Sequence, residues 1–128
     1  MKKVISIFIC AMMVLMMNPL TSHASDSIGF SGSYTDSIAS STFTVHGSSI
    51  YCTYDITPIY GEYVSSATVA LQYYDNGSWS DFKSQEVYVN YPSSGGSVNF
   101  GGLITGTFRV KISCSRDVES MSGVVSYN

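Results

Sequence analysis

The chain has 128 residues and a mass of 13.9 kDa, which suffices for one domain and excludes a multidomain enzyme. Nine acidic residues face six basic ones, a formal charge of −3. So few cations exclude a binder of nucleic-acid phosphates, and an anionic membrane surface would repel the chain.

The first predicted element is an export signal over residues 1–24. Lys2 and Lys3 form a positive start, and residues 4–17 form an apolar run too short to span a bilayer comfortably. Asn18-Pro19 breaks the run. Ser22 and Ala24 place small residues at −3 and −1, so cleavage is expected between Ala24 and Ser25. An uncleaved anchor helix is the alternative, disfavoured by Pro19 and the short apolar length. Cys10 lies within the apolar run after bulky Ile9, the wrong context for lipid attachment. The expected product is a single secreted domain over residues 25–128. It keeps four basic residues (Lys83, Arg109, Lys111, Arg116) against nine acidic ones, a net charge of −5.

No part of that domain has sustained helical periodicity. Ser, Thr and ten Tyr dominate, with Gly at short intervals, which is the composition of an all-β secreted protein. Strands are predicted at 28–34, 42–45, 48–56, 67–74, 78–83, 86–91, 97–100, 107–115 and 119–127. The breakers are Gly47, Thr57-Pro58, Gly61, Asn76-Gly77, residues 92–96, Gly101-Gly102 and Gly106. Strands of this length joined by short turns predict an antiparallel two-sheet β-sandwich.

Ile50, Cys52, Tyr54 and Ile56 alternate onto one strand face, as do Phe108, Val110, Ile112 and Cys114. Two inward cysteines in an oxidising compartment predict a Cys52–Cys114 disulfide; two buried free thiols are the alternative. Neither cysteine has a neighbouring His, so zinc spacing is absent and no metal or other cofactor is expected. The sharpest local signal is Asn76-Gly77 between Tyr73-Tyr74 and Trp79, the chemistry of a tight hairpin whose central residues take positive φ. Asp75 and Asn76 lack the further spaced carboxylates of a calcium loop.

The cysteine placement, one on an early strand and one on the penultimate strand, resembles immunoglobulin-like domains. Trp79 lies after the third strand rather than inside it, and Ile112 stands where that family has a tyrosine. The resemblance therefore implies the architecture only. Residues 68–79, Thr-Val-Ala-Leu-Gln-Tyr-Tyr-Asp-Asn-Gly-Ser-Trp, followed by Gly106-Thr107-Phe108-Arg109-Val110-Lys111, resemble small secreted β-proteins of Gram-positive bacteria whose function is uncharacterised. That resemblance covers under half of the chain and implies a fold and a location, with no chemistry.

Catalytic constellations are sparse. His46 is the single histidine after the export segment, beside Gly47 in a predicted turn, and no Gly-x-Ser-x-Gly elbow occurs. Asp75, Asp81, Glu86, Asp117 and Glu119 are expected at strand ends or turns, facing water. The sequence is therefore read as a non-enzyme. Its aromatic surplus remains, and the alternation places Tyr51, Tyr74, Arg109, Lys111, Ala70 and Gln72 outward, with Trp79 across the hairpin from Tyr74. Tyr51, Tyr74 and Trp79 are the candidate binding residues, able to stack on sugar rings or to form a protein interface. The competing reading is that these rings cover cross-strand neighbours. The expected function is an extracellular binding module for a glycan or surface protein. A bacteriocin-like antagonist or a stress- or sporulation-linked structural protein is the alternative, and no membrane insertion of the domain over residues 25–128 is expected because it has no apolar or cationic amphipathic segment.

Overall fold

A computed structural model describes residues 26–127. The export segment, the Ala24–Ser25 junction and Asn128 lie outside the described residues. Seven strands follow one another: β1 (Asp26–Ala39), β2 (Phe43–Ser48), β3 (Ile50–Thr57), β4 (Ser66–Asp75), β5 (Ser78–Tyr88), β6 (Ser94–Asn99) and β7 (Ile104–Tyr127). Every pairing is antiparallel, and no helix occurs among the described residues.

Nine short strands were expected and seven form, because two predicted breaks carry no breaker. Ser84-Gln85 and Arg116-Asp117 are polar, yet neither pair contains Gly or Pro, so the backbone stays extended with the side chains in water. The 24-residue β7 that results is the spine of the fold. Its first half pairs with β4 on one side (Tyr73 opposite Phe108, Ala67 opposite Cys114) and with β2 and the end of β1 on the other. Its second half pairs with β3 (Ile50 opposite Tyr127) and with the start of β1 (Asp26 opposite Tyr127).

The bend between the halves is local chemistry. β1 pairs Thr35 with Val118 but Ser37 with Ser113, and Tyr34 takes a φ of 49° just before this bulge. All strands thus belong to one curled sheet with the order β5-β4-β7-β3-β6. No break in pairing divides it into two sheets, since β1 and β7 run through both halves. Lys83 of β5 donates to the carbonyls of Phe100 (2.8 Å) and Gly101 (3.3 Å), tying one end of the strand order to the segment after the other.

The core follows the predicted alternation. Ile50, Cys52 and Ile56 of β3 and Phe108, Val110 and Ile112 of β7 are buried. In β7 the inward set slips by one place between Val118 and Met121, after the bend. The hairpin also matches expectation: Asn76 and Gly77 take φ of 50° and 83°, and Tyr74 pairs with Trp79.

The cysteines correct the expected bridge, since Cys52 and Cys114 both carry free thiols. Cys52 is buried between Val98 and Val125 on the second half of the sheet. Cys114 is half-buried opposite Ala67 on the first half, where β7 bulges against β1 near Asp36. Sharing an inward parity did not bring them to the same place.

Gly95-Gly96 was expected to break the chain and instead lies within β6. A row of alternating rings and glycines explains this. Phe30, Gly123, Tyr54 and Gly96 are successive cross-strand partners over β1, β7, β3 and β6. A Cβ on Gly96 would lie 2.7 Å from the Tyr54 hydroxyl oxygen, and one on Gly123 would lie 2.5 Å from the Phe30 ring. The aromatic rings cover the bare backbone and restore the packing a side chain would supply. Gly123→Ala is therefore expected to destabilise by about 1–3 kcal/mol in urea unfolding, through overpacking. Gly29→Ala, where an added Cβ meets nothing within 4 Å, should be neutral or slightly stabilising. Equal effects would remove the close approach as the cause.

Candidate functional site

The strip predicted from Tyr51, Tyr74 and Trp79 divides. Tyr74 and Trp79 come together across the β4–β5 hairpin, their ring centroids 5.3 Å apart at 65°. Tyr51 is exposed on β3 opposite Ser126, alongside the second half of β7, whereas the hairpin adjoins the start of the first half. It does not join the other two.

Trp79 is half-buried, with the Arg109 guanidinium carbon 4.4 Å from its ring centroid. Arg109 Nε donates to Gln72 Oε1 at 2.8 Å, and Gln72 Nε2 donates to Asp81 Oδ1 at 2.8 Å. This chain crosses three strands because Gln72 pairs with both Arg109 and Asp81. Gln72, expected outward and exposed, is buried within it, and neighbouring Ala70 is buried as well. One face of Trp79 is thus already occupied by a cation–π contact. Beside the hairpin, Tyr73, Tyr74, Phe82 and Phe108 wall a shallow groove of about 520 Å³ floored by residues 105–107. Phe82 reaches it as the extra residue of a β5 bulge: Lys83 pairs with Leu71 and Asp81 with Gln72, leaving Phe82 unpaired.

A second concavity, of about 420 Å³, was not foreseen. Tyr60, Gly61, Glu62, Tyr63 and Tyr91 line it, from the β3–β4 and β5–β6 loops. The first loop is a turn in which Glu62 N donates to the Ile59 carbonyl at 2.9 Å, with Gly61 at φ 80° in the position that favours glycine. Val64 then dives into the core and anchors the loop from below. The second loop is anchored by buried Val89, whose N–H donates to the Ser65 carbonyl at 3.1 Å. The Ser94 hydroxyl accepts from Asn90 N at 2.6 Å and closes the same loop. On this base the rings point outward: Tyr60 is 84 % exposed, Tyr63 79 % and Tyr91 59 %. Tyr60 and Tyr91 meet edge to face at 5.8 Å and 66°.

The sequence held a signal for this site. Tyr60-Gly61-Glu62-Tyr63 follows Pro58 and carries two tyrosines outside any alternating run, so cross-strand cover does not explain them. Reading Gly61 only as a breaker passed over it.

The nucleophiles and bases are placed as follows. Burial pushes the Cys52 thiol up to about 11, partly offset by a backbone hydrogen bond from Val124. Burial, then the nearby Asp36 charge, raises Cys114. Both shifts oppose thiolate formation and hence nucleophilic attack. His46 is exposed in β2. Asp81, Glu86, Asp117 and Glu119 lie inside strands rather than at their ends, and all four are exposed. No group of three or more His, Cys, Asp or Glu residues with metal-binding geometry occurs among the described residues.

No protein-family model matches the chain, and no curated protein matches it in sequence. Solved structures do resemble it. The mitogen derived from Yersinia pseudotuberculosis is 12 % identical with a TM-score of 0.44, over 82 % of this chain and 86 % of that one. The SPBc2 prophage-derived protein YomS is 15 % identical with a TM-score of 0.41, over 80 % and 95 %. A protein of infectious bursal disease virus, Gt strain, is 15 % identical with a TM-score of 0.36, over 82 % of this chain and 36 % of that one. These similarities concern general β architecture and transfer no function.

Proposed function

We propose that the protein is a secreted, non-catalytic binding module for an extracellular glycan or surface protein, its curled sheet forming a two-layer sandwich of the small secreted Gram-positive type. The observation that carries the reading is the set of outward tyrosine rings, Tyr60, Tyr63 and Tyr91, around one concavity. Apolar rings held in water on anchored loops cost solvation and contribute nothing to the core, which is the economy of a binding surface.

The test is retention. The chain from Ser25 should sediment with bacterial cells, isolated envelopes or animal cells when a panel of these is screened. A Tyr60→Ala/Tyr91→Ala double variant should lose well over about ten-fold of that retention. Its stability should change by only about 0.5 kcal/mol per substitution, because both rings are exposed. Retention on no surface, or equal retention of the double variant, overturns the reading. Release of soluble product from any retaining surface overturns the non-catalytic part.

A further inference from the structure

We infer that the Tyr60–Tyr63–Tyr91 concavity takes an uncharged glycan, a chain of pyranose rings without carboxylate, sulfate or phosphate. The inference rests on the binding-module reading and narrows it to one ligand class and one site.

Three features of the site point there. The first is shape. The concavity is open and shallow, about 420 Å³, a surface against which a few sugar rings can lie rather than a pocket that encloses them.

The second is the kind of surface. Tyr60 and Tyr91 stand at 66° to one another and form an angled wall, with Tyr63 beside them. A pyranose presents apolar C–H patches on its faces and hydroxyls around its rim. Ring faces accept the former, while the phenol oxygens and the Glu62 carboxylate accept hydrogen bonds from the latter. The loops carrying these groups are already held, by the Gly61 turn, by the Ser94 hydroxyl and by Val64 and Val89 in the core. Little ordering remains to be done on binding.

The third is charge. Glu62 is the one ionisable group besides the phenols in the lining, and no base lies there. Lys83 is held by two backbone carbonyls, and Arg109 lies between Trp79 and Gln72. Lys111 lies between Ala39 and Ala70, and Arg116 at the bend of β7. A polyanion would meet a carboxylate and a domain of net charge −5. A neutral glycan meets no such repulsion.

The test is calorimetric titration of the chain from Ser25 with cellohexaose, chitohexaose, xylohexaose and mannohexaose, and with polygalacturonate and heparin as polyanions. Binding to at least one neutral oligosaccharide is expected, nearly independent of salt, with neither polyanion bound more tightly. Tyr60→Ala and Tyr91→Ala should each weaken it about ten-fold, and Tyr51→Ala by less than about two-fold. Tyr60→Phe and Tyr91→Phe keep the ring and should retain most of the affinity, which guards against a folding artefact. Tighter, salt-sensitive binding of a polyanion overturns the inference, as does failure to bind any of the neutral chains. If cells retain the protein but lose that ability after protease treatment, the partner is a protein. That outcome overturns the neutral-glycan assignment and leaves the binding-module reading standing.

Discussion

Ile112→Ala is expected to lower the stability of the domain by about 2–5 kcal/mol, among the largest effects available to a single substitution here. Ile112 is fully buried in the first half of β7, paired with Ile38 of β1 on one side and Val69 of β4 on the other. Its Cδ1 also approaches the bare backbone of Gly123, so it packs across the bend between the two halves. Truncation removes apolar contact and leaves a cavity at the point where the sheet curls. The rigid strands around it cannot collapse far to fill that space. For a domain of this size the thermal midpoint should fall by roughly 10–25 °C. Val124→Ala, on the same strand with an exposed side chain, should change stability by about 0.5 kcal/mol or less. A small loss at Ile112, comparable to that at Val124, would mean that β7 is not the spine of the core.

Alkaline destabilisation through Cys52 is the second large effect. Burial holds this thiol neutral up to about pH 11, against 9.0 in the unfolded chain. The folded state therefore favours the protonated form. The resulting stability is fully present below pH 9 and is lost as pH rises through about 11, because the unfolded state ionises first. Two pH units at about 1.4 kcal/mol each place the loss at about 2–3 kcal/mol. Urea midpoints at pH 8 and pH 11 should fall further in the natural chain than in Cys52→Val, the difference isolating this group from the tyrosines and lysines. In the same samples the denatured, unreduced chain from Ser25 should titrate two thiols. A Cys52–Cys114 bridge would give none and would abolish the difference between the two chains.

The local signals in the sequence translated well where the forces are local. Asn76-Gly77 makes its turn because two adjacent residues tolerate positive φ, whatever lies beyond them. The alternation of Ile50, Cys52 and Ile56, and of Phe108, Val110 and Ile112, sorts inside from outside because strand side chains point to opposite faces in turn. Strand ends were less legible. Gly95-Gly96 looks like a breaker until the ring of Tyr54 is placed over Gly96 from the neighbouring strand, as that of Phe30 is over Gly123. The polar pairs Ser84-Gln85 and Arg116-Asp117 look like turns until their strands are seen to continue with those side chains in water.

The sequence by itself determined an all-β, antiparallel domain, its inward faces and its central hairpin, since propensity, period and turn chemistry act over a few residues. Tertiary structure alone decided which strands share β7, that two inward cysteines stand apart as free thiols, and that Tyr51 is separated from Tyr74 and Trp79. It also decided that Tyr60 and Tyr91, distant in the chain, form one wall. The physical reason is the same in each case. A strand period says which way a side chain points, whereas its neighbours depend on pairings between distant segments and on the bend where β7 bulges against β1.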